Sequence, residues 1–365
     1  MASALLEELL RAMTQERNFS IFAGFDGAVD QIYAVERCRT AEAYERMDTI
    51  EEFAKRVASA AGRSTNIERR LIERRAGGNA VLCATALQQL GCKITFLGNI
   101  GNPIEEVFQN FSSKCVNCHS IGRPNATDAL EFNDGKILLT DSSPLEALNV
   151  ESLRHFPIKN IPLSALMERQ DAIVLTNWTM MPKGTEIYQH LLHKVFPLVP
   201  RNIPVLFDIA DPARRSDGEI LTLLDILCEF SRTRTIFLSI NGKELERLAN
   251  LLGLKEDVQY AEMLCQLHGR WPIEWTLHLC DGAESFGING FHRANGFFTE
   301  RPHTSTGGGD NFNGGFLFGI LLGLRRELAL LLGNAVSGAY VRIGHSPGKS
   351  EVEWLLREKL LLSTQ

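Results

Sequence analysis

The chain lacks an apolar run long enough to cross a bilayer. The longest, Phe316 to Leu324, is cut by Arg325-Arg326-Glu327 before Leu328 to Leu332 resume it, so both stretches read as buried helices. There is no basic surplus either: 38 Lys and Arg against 44 Asp and Glu leave a formal charge of -6, which gives no reason to expect nucleic acid as a partner. Met1 to Leu10 has no basic start and no uninterrupted apolar core, so it does not read as a signal peptide. Eight cysteines in 365 residues without an export signal suit a reducing cytoplasm better than a disulfide framework. Cys115-Val116-Asn117-Cys118-His119 matches the spacing for covalent haem attachment and half a zinc site. Haem attachment needs export, however, and zinc needs two further ligands.

What is present is apolar content of 44%, ample for a sizeable core in one large domain or two. Residues 3–16 have the spacing of an amphipathic helix, and Phe19 to Gly24 that of a buried strand. Short apolar runs at 93–97, 172–176, 205–207, 236–239 and 276–279 alternate with helical stretches, which predicts parallel strands joined by crossover helices. Ile50, Phe53, Val57 and Ala61 predict a helix over 41–61. Arg63, Arg69, Arg70, Arg74 and Arg75, interleaved with Glu68 and Glu73, follow it. They read either as a solvated, ion-paired helix or as a clamp for an anionic group on a ligand. Thr127 to Thr140 reads as a hairpin turning at Asn133-Asp134-Gly135.

The chain is organised around His303-Thr304-Ser305-Thr306-Gly307-Gly308-Gly309-Asp310 and the apolar segment after it. Adjacent glycines can turn several N–H groups toward one point, and a helix start favours an anion there. Asp310 at the mouth of such a cradle can take a proton from an attacking hydroxyl while Gly307, Gly308 and Gly309 hold developing charge. That arrangement suits phosphoryl transfer. The plainer alternative is a flexible turn with Asp310 as a helix cap. Asp26 and Asp30, just beyond the first strand, stand where an open α/β sheet meets its ligands, and carboxylates accept well from sugar hydroxyls. In Ala76-Gly77-Gly78-Asn79-Ala80, small residues let a helix start against a ligand, and Asn79 both donates and accepts. Asn241 and Glu244 have the spacing of a capping pair.

Thr306 to Phe316 resembles the carboxy-terminal signature of the ribokinase-like (PfkB) carbohydrate kinases, usually written Gly-Ala-Gly-Asp, with Gly308 for the alanine. Gly77 to Gly101 resembles the amino-terminal signature, with Cys83 near the position of a second Asn. The resemblance spans about residues 19–345. It implies an α/β fold, a central mostly parallel sheet flanked by helices, as a single domain over 1–365 with a small β lid from about 31–40 and 119–142. It implies an acceptor hydroxyl held among Asp30, Asn79 and Asp310, with Asp26, Gly77 and Gly78 beside it. Asn241 and Glu244 are implied to organise Mg²⁺ through water. Asn241, Gly282, in a loop usually written Thr-x-Gly, and Asn334, on the adenine side, are implied nucleotide contacts. Asp208 to Arg215 resembles the family's Asp-x-x-x-x-Arg segment. ATP is the implied co-substrate, K⁺ a candidate second ion, and a homodimer through the lid the expected assembly. The expected activity is transfer of a phosphoryl group to a sugar hydroxyl in the cytoplasm, with no membrane or nucleic-acid partner. The alternatives are a nucleoside kinase, an ADP-dependent sugar kinase suggested by Gly24 to Asp30, and a non-catalytic sugar or nucleotide sensor.

Overall fold

The computed structural model describes residues 2–40, 43–154, 161–254, 258–304 and 306–362. In chain order the strands are β1 (Ser20–Gly24), β2 (Ala28–Arg39), β3 (Tyr44–Arg46), β4 (Arg69–Gly77), β5 (Lys93–Gly98), β6 (Asn117–Ser120) and β7 (Asn125–Phe132). They continue as β8 (Gly135–Asp141), β9 (Ala172–Thr176), β10 (Val205–Asp208), β11 (Ile236–Asn241), β12 (Glu274–His278), β13 (Gly282–Gly287) and β14 (Gly290–Asn295). Among the described residues the larger sheet runs β14-β13-β12-β11-β10-β9-β1-β5-β6. It is parallel from β12 to β6, and β13 and β14 join antiparallel at one edge.

Both faces of the sheet's parallel centre are covered, so β1, β5, β9, β10 and β11 are mostly apolar and buried rather than alternating with polar residues. The pleat sends neighbouring side chains to opposite faces. Phe22, Leu175, Phe207 and Trp178 pack in one core, and Ile21, Ala23, Val174 and Leu206 in another that holds Phe312 and Phe316. The chain leaves β1 toward β5 and β6, then returns to β9 and runs the other way to β12. Such a reversal of strand order opens a crevice at the carboxyl ends of the strands. The loops after β1, β9, β10, β11 and β12 all end there.

The smaller sheet has the order β3-β2-β7-β8, with β4 paired to β2. β2 is antiparallel to β4 and parallel to β7, and β7 and β8 form a hairpin closing at Phe132 and Gly135. Its extent differs from the 31–40 and 119–142 expected of the lid. His119 and Ser120 belong to β6 in the larger sheet, and the smaller sheet gains β3 and β4.

Two local expectations are corrected here. The helix expected over 41–61 shortens to Ile50–Ala58, capped by Thr49, because Tyr44–Arg46 pairs with β2; residues 41 and 42 lie outside the described ones. The arginine-rich stretch is a strand, not a solvated helix: Arg69–Gly77 is β4. Its arginines find partners across strands rather than along a helix. Arg69 lies 4.0 Å over the Tyr33 ring and bonds Asp128, and Arg70 lies 3.7 Å over Tyr44. Alternation then parts the last pair, with Arg74 bonding Glu105 at 2.6 Å and Arg75 lining the space between the sheets.

Candidate active site

The helix Asn79–Gln89 starts at Gly78, which has φ 94 and no side chain to cap the exposed N–H groups. Asp26 supplies that cap from the loop after β1. Its carboxylate accepts from the Asn79 and Ala80 backbone N–H at 2.9 Å each, from Thr176 Oγ1 at 3.2 Å and from Asn177 Nδ2 at 2.9 Å. A Cβ at Gly78 would stand 2.8 Å from the Gly27 Cα, so this junction closes only around glycine. Asp26 is thus buried and bonded within the protein, holding β1, β9 and the helix together, and it also lines the cavity between the two sheets.

Asp30, in β2, differs. Among the described residues no protein donor bonds its carboxylate. Burial raises its pKa, and Arg75 and Lys136 partly offset the rise. It lies against Gly77, where a Cβ would come within 2.6 Å of Oδ2. Gly77 therefore gives room to Asp30, while Gly78 starts the helix.

The glycine run begins a second helix, Gly308–Leu321, with Gly307 as its left-handed N-cap at φ 91. A Cβ on Gly307 would meet the Tyr340 hydroxyl at 2.6 Å, and one on Gly309 the His278 ring at 2.8 Å. Asp310 lies in the first turn, beside the N–H groups that a helix start leaves without partners. It is buried and its Oδ1 has no partner, while the nearby Asn79 side chain favours its ionised form. Burial pushes its pKa well above the carboxylate range, and the charges of Asp208 and Asp26 push it further. Asn79 and Asp310 are therefore brought together as expected, with Asp30 on the wall of the same cavity.

That cavity, about 420 Å³, lies between the two sheets. Three of its lining residues escaped sequence reasoning: Asn125, Asn177 and Thr179. Each has a buried side-chain oxygen with no protein partner. The carriers are ordinary loop or strand-start residues in the sequence, and only the sheet order shows where they point. Thr179 is held in place by Arg215, whose Nε donates to the Thr179 carbonyl at 3.0 Å and whose Nη2 donates to that of Trp178 at 3.2 Å.

Asp208 ends β10, buried, accepting from the Ala210 N–H at 2.9 Å and Asn313 Nδ2 at 2.7 Å. Burial pushes its pKa up to about 6. Asn241 and Glu244 make a reciprocal cap: the Glu244 N–H donates to Asn241 Oδ1 at 3.0 Å, and the Asn241 N–H to Glu244 Oε2 at 2.9 Å. Glu244 is pushed up to about 8 by burial and then by the Asp208 charge. Both carboxyls bind a proton more tightly folded than unfolded, so their burial destabilises the fold increasingly as they ionise. The thermal midpoint of the ligand-free protein is expected to fall as pH rises from 4.5 to about 8, and Glu244→Gln to flatten that slope. A slope unchanged by the substitution would remove Glu244 from the cause.

Two of the expected nucleotide contacts, Gly282 and Asn334, are bound up with the protein's own backbone. Asn334 Nδ2 donates to the carbonyls of Ala294 at 3.2 Å and Asn295 at 3.0 Å, and a Cβ on Gly282 would meet the Ala294 carbonyl at 2.8 Å. Cys83, near the family's second Asn position, is fully buried.

A family model described as prokaryotic ketohexokinase matches residues 6–359. The chain belongs to that family. It is an ATP-dependent carbohydrate kinase, a phosphotransferase with an alcohol group as acceptor. A ketohexokinase of Haloferax volcanii is 27% identical over 343 residues, covering 91% of this kinase and 89% of the relative. In fold, the kinase is similar to Arabidopsis thaliana ribokinase complexed with ribose and ATP (TM-score 0.65, 15% identity, covering 94% of this chain and 99% of that one). It is also similar to a nucleoside kinase of Methanocaldococcus jannaschii (TM-score 0.61, 15% identity, 94% and 100% covered). At that identity both likenesses speak to fold alone. Nothing in these comparisons favours a nucleoside, ADP-dependent or non-catalytic role. Among the described residues, no helix is long and apolar enough to cross a membrane.

Proposed function

We propose that this kinase phosphorylates a hydroxyl of a ketohexose, with Asp310 as general base and Gly307 to Gly309 as the anion cradle. The observation that carries the reading is Asp310 itself: a buried carboxylate with one oxygen unpartnered, beside Asn79, at the first turn of the glycine-led helix. A sugar fits the cavity's chemistry, because Asp30, Asn125, Asn177 and Thr179 offer oxygens that accept from hydroxyls. The acceptor oxygen forms a bond to the γ-phosphorus, the β–γ bridging bond breaks with its electron pair leaving on ADP, and the hydroxyl proton passes to Asp310. The glycine N–H groups steady the charge on the moving phosphoryl group.

Mg²⁺ suits the donor set. Asp208, Glu244 and Asp310 are buried carboxylates whose pKa values are all raised, and the charges of Asp208 and Glu244 both act on Asp310. A water-mediated site at Asn241 and Glu244 would need few direct protein ligands. When bound, the ion supplies charge neutralisation on the donor phosphates. Gly282 and Asn334 would then shape the nucleotide side through the backbone they hold. A homodimer through the smaller sheet is supported by the exposed Leu71, Ile72 and Leu139 on it. The eight free cysteines support a reducing, cytoplasmic setting.

Coupled nucleotide turnover with ATP and Mg²⁺ across ketohexoses, aldohexoses, pentoses and nucleosides tests the proposal. Ketohexoses are expected to give the highest kcat/KM; an aldose or nucleoside turned over better would overturn the acceptor assignment.

A further inference from the structure

A second cavity, of about 290 Å³, lies where β10 and β11 begin, whereas the reaction crevice lies where those strands end. Three arginines line it. Arg201 comes just before β10, and Arg232 and Arg234 stand in the turn between the helix Asp217–Ser231 and β11. His193 joins them from the segment that follows the helix Gly184–His190.

Arg234 has part of a structural account. It is 6% exposed and clamps the chain opposite, with Nη2 donating to the carbonyls of Phe196 at 3.0 Å and Val199 at 3.4 Å, and Nη1 to that of Pro200 at 3.3 Å. Its guanidinium carbon lies 4.4 Å from the centre of the Phe196 ring. Yet those acceptors are all neutral, and its buried Nε has no partner. A guanidinium this far from water is ordinarily paired with a carboxylate. Here the charge that acts on it is a second cation: burial, and then Arg201, lower the Arg234 pKa to about 10. Arg201 and Arg232 are exposed, and among the described residues none of the three arginines forms an ion pair. Glu229 is the one carboxylate among the described lining residues, exposed and bonded to none of them. Like charges around a hollow repel and add nothing to folding. An anion placed there removes the repulsion and meets guanidinium forks that match its oxygens.

We infer that this cavity is a second ligand site of the kinase, remote from the reaction crevice, and that it takes a compact phosphate monoester, the chemical class of a sugar kinase's own product. Arg201 and Arg232 hold the phosphate oxygens at the mouth. Arg234, fixed by the carbonyls it clamps, supplies charge from beneath. The remaining wall decides for an ester over a bare phosphate: Leu192, Phe196 and Pro197 offer apolar surface to a carbon body. The volume is near the lower end for small-molecule pockets, about 300 Å³, and inorganic phosphate alone would leave much of it unfilled. None of these residues belongs to the glycine cradle or to the cavity around Asp310, so the assignment stands independently of the general base and the acceptor.

The test is calorimetric titration of the full chain with fructose 1-phosphate and with inorganic phosphate, the reaction crevice being saturated beforehand with fructose, Mg²⁺ and an ATP analogue that cannot transfer its phosphoryl group. Fructose 1-phosphate is expected to bind the wild-type protein, more weakly as salt is raised, and about ten-fold more weakly in Arg201→Gln and in Arg232→Gln, as loss of one charged hydrogen bond gives. Both arginines are exposed and lie outside the reaction machinery, so kcat measured without the probe should stay at the wild-type level in each variant. No binding to the wild type, or equal affinity in the wild type and both variants, would overturn the site. Inorganic phosphate binding as tightly as the ester would overturn the choice of ligand, since the apolar wall would then take no part. Glu229→Gln removes the competing carboxylate and should tighten binding about three-fold. If either arginine variant fails to fold, Glu229→Gln decides, and unchanged affinity there overturns the inference.

Discussion

Asp310→Asn is expected to lower kcat by a factor of about 10² to 10⁴, the range that a positioned general base supplies, while ADP still stabilises the protein against heat. The carboxamide has almost the same shape, so the helix start at Gly308 and the cradle N–H groups stay in place. What disappears is the one oxygen in this turn that can take a proton and has no protein partner. The buried position makes that oxygen a stronger base than a surface carboxylate, because burial and the Asp208 and Asp26 charges disfavour its ionised form. The same raised pKa predicts that activity falls on the acid side as Asp310 takes up a proton before substrate arrives. Turnover within about ten-fold of wild type would leave less than the smallest effect a general base gives, and another proton acceptor would have to be sought.

The second large effect separates two aspartates four residues apart. Asp26→Ala is expected to destabilise the fold by about 3–5 kcal/mol, the cost of breaking a buried charged network. At roughly 2–4 °C per kcal/mol for a large domain, that lowers the thermal midpoint by on the order of 10 °C. Four donors lose their acceptor at once: two backbone N–H groups of the helix start, the Thr176 hydroxyl and the Asn177 amide. Because those donors come from two parts of the crevice, the helix start and the end of β9, Asn177 should also lose its place in the cavity. Asp30→Ala should behave in the opposite way. Its carboxylate holds no protein donor among the described residues, so the midpoint should change little and the ketohexose KM should rise at least ten-fold. Thermal unfolding and KM measured on both variants check the pair. An Asp26→Ala protein that melts like wild type with a raised KM would reverse the two roles.

The two strong motifs were readable because each is local. A run of glycines before Asp310, and Gly77-Gly78-Asn79 before an apolar helix, specify backbone freedom and a helix start within a few residues. The hairpin at 133–135 and the buried parallel strands were readable for the same reason, since turn chemistry and apolar runs are properties of short windows. The arginine stretch was misread as a helix because charged residues carry no strong period. β4 is fixed as a strand by β2 and by rings at Tyr33 and Tyr44, more than twenty residues away.

By itself the sequence determined the class of fold and the family and marked Asp310 as the candidate base, because these follow from periodicity and from signatures that need no partner. The tertiary structure decided the division of labour between Asp26 and Asp30, the gathering of Asn125, Asn177 and Thr179, and the approach of Lys136 to Thr306 across 170 residues of chain. The physical reason is that a side chain's chemistry depends on which groups share its space. In a sheet whose order reverses at β1, that space is assembled from the ends of strands far apart in the chain.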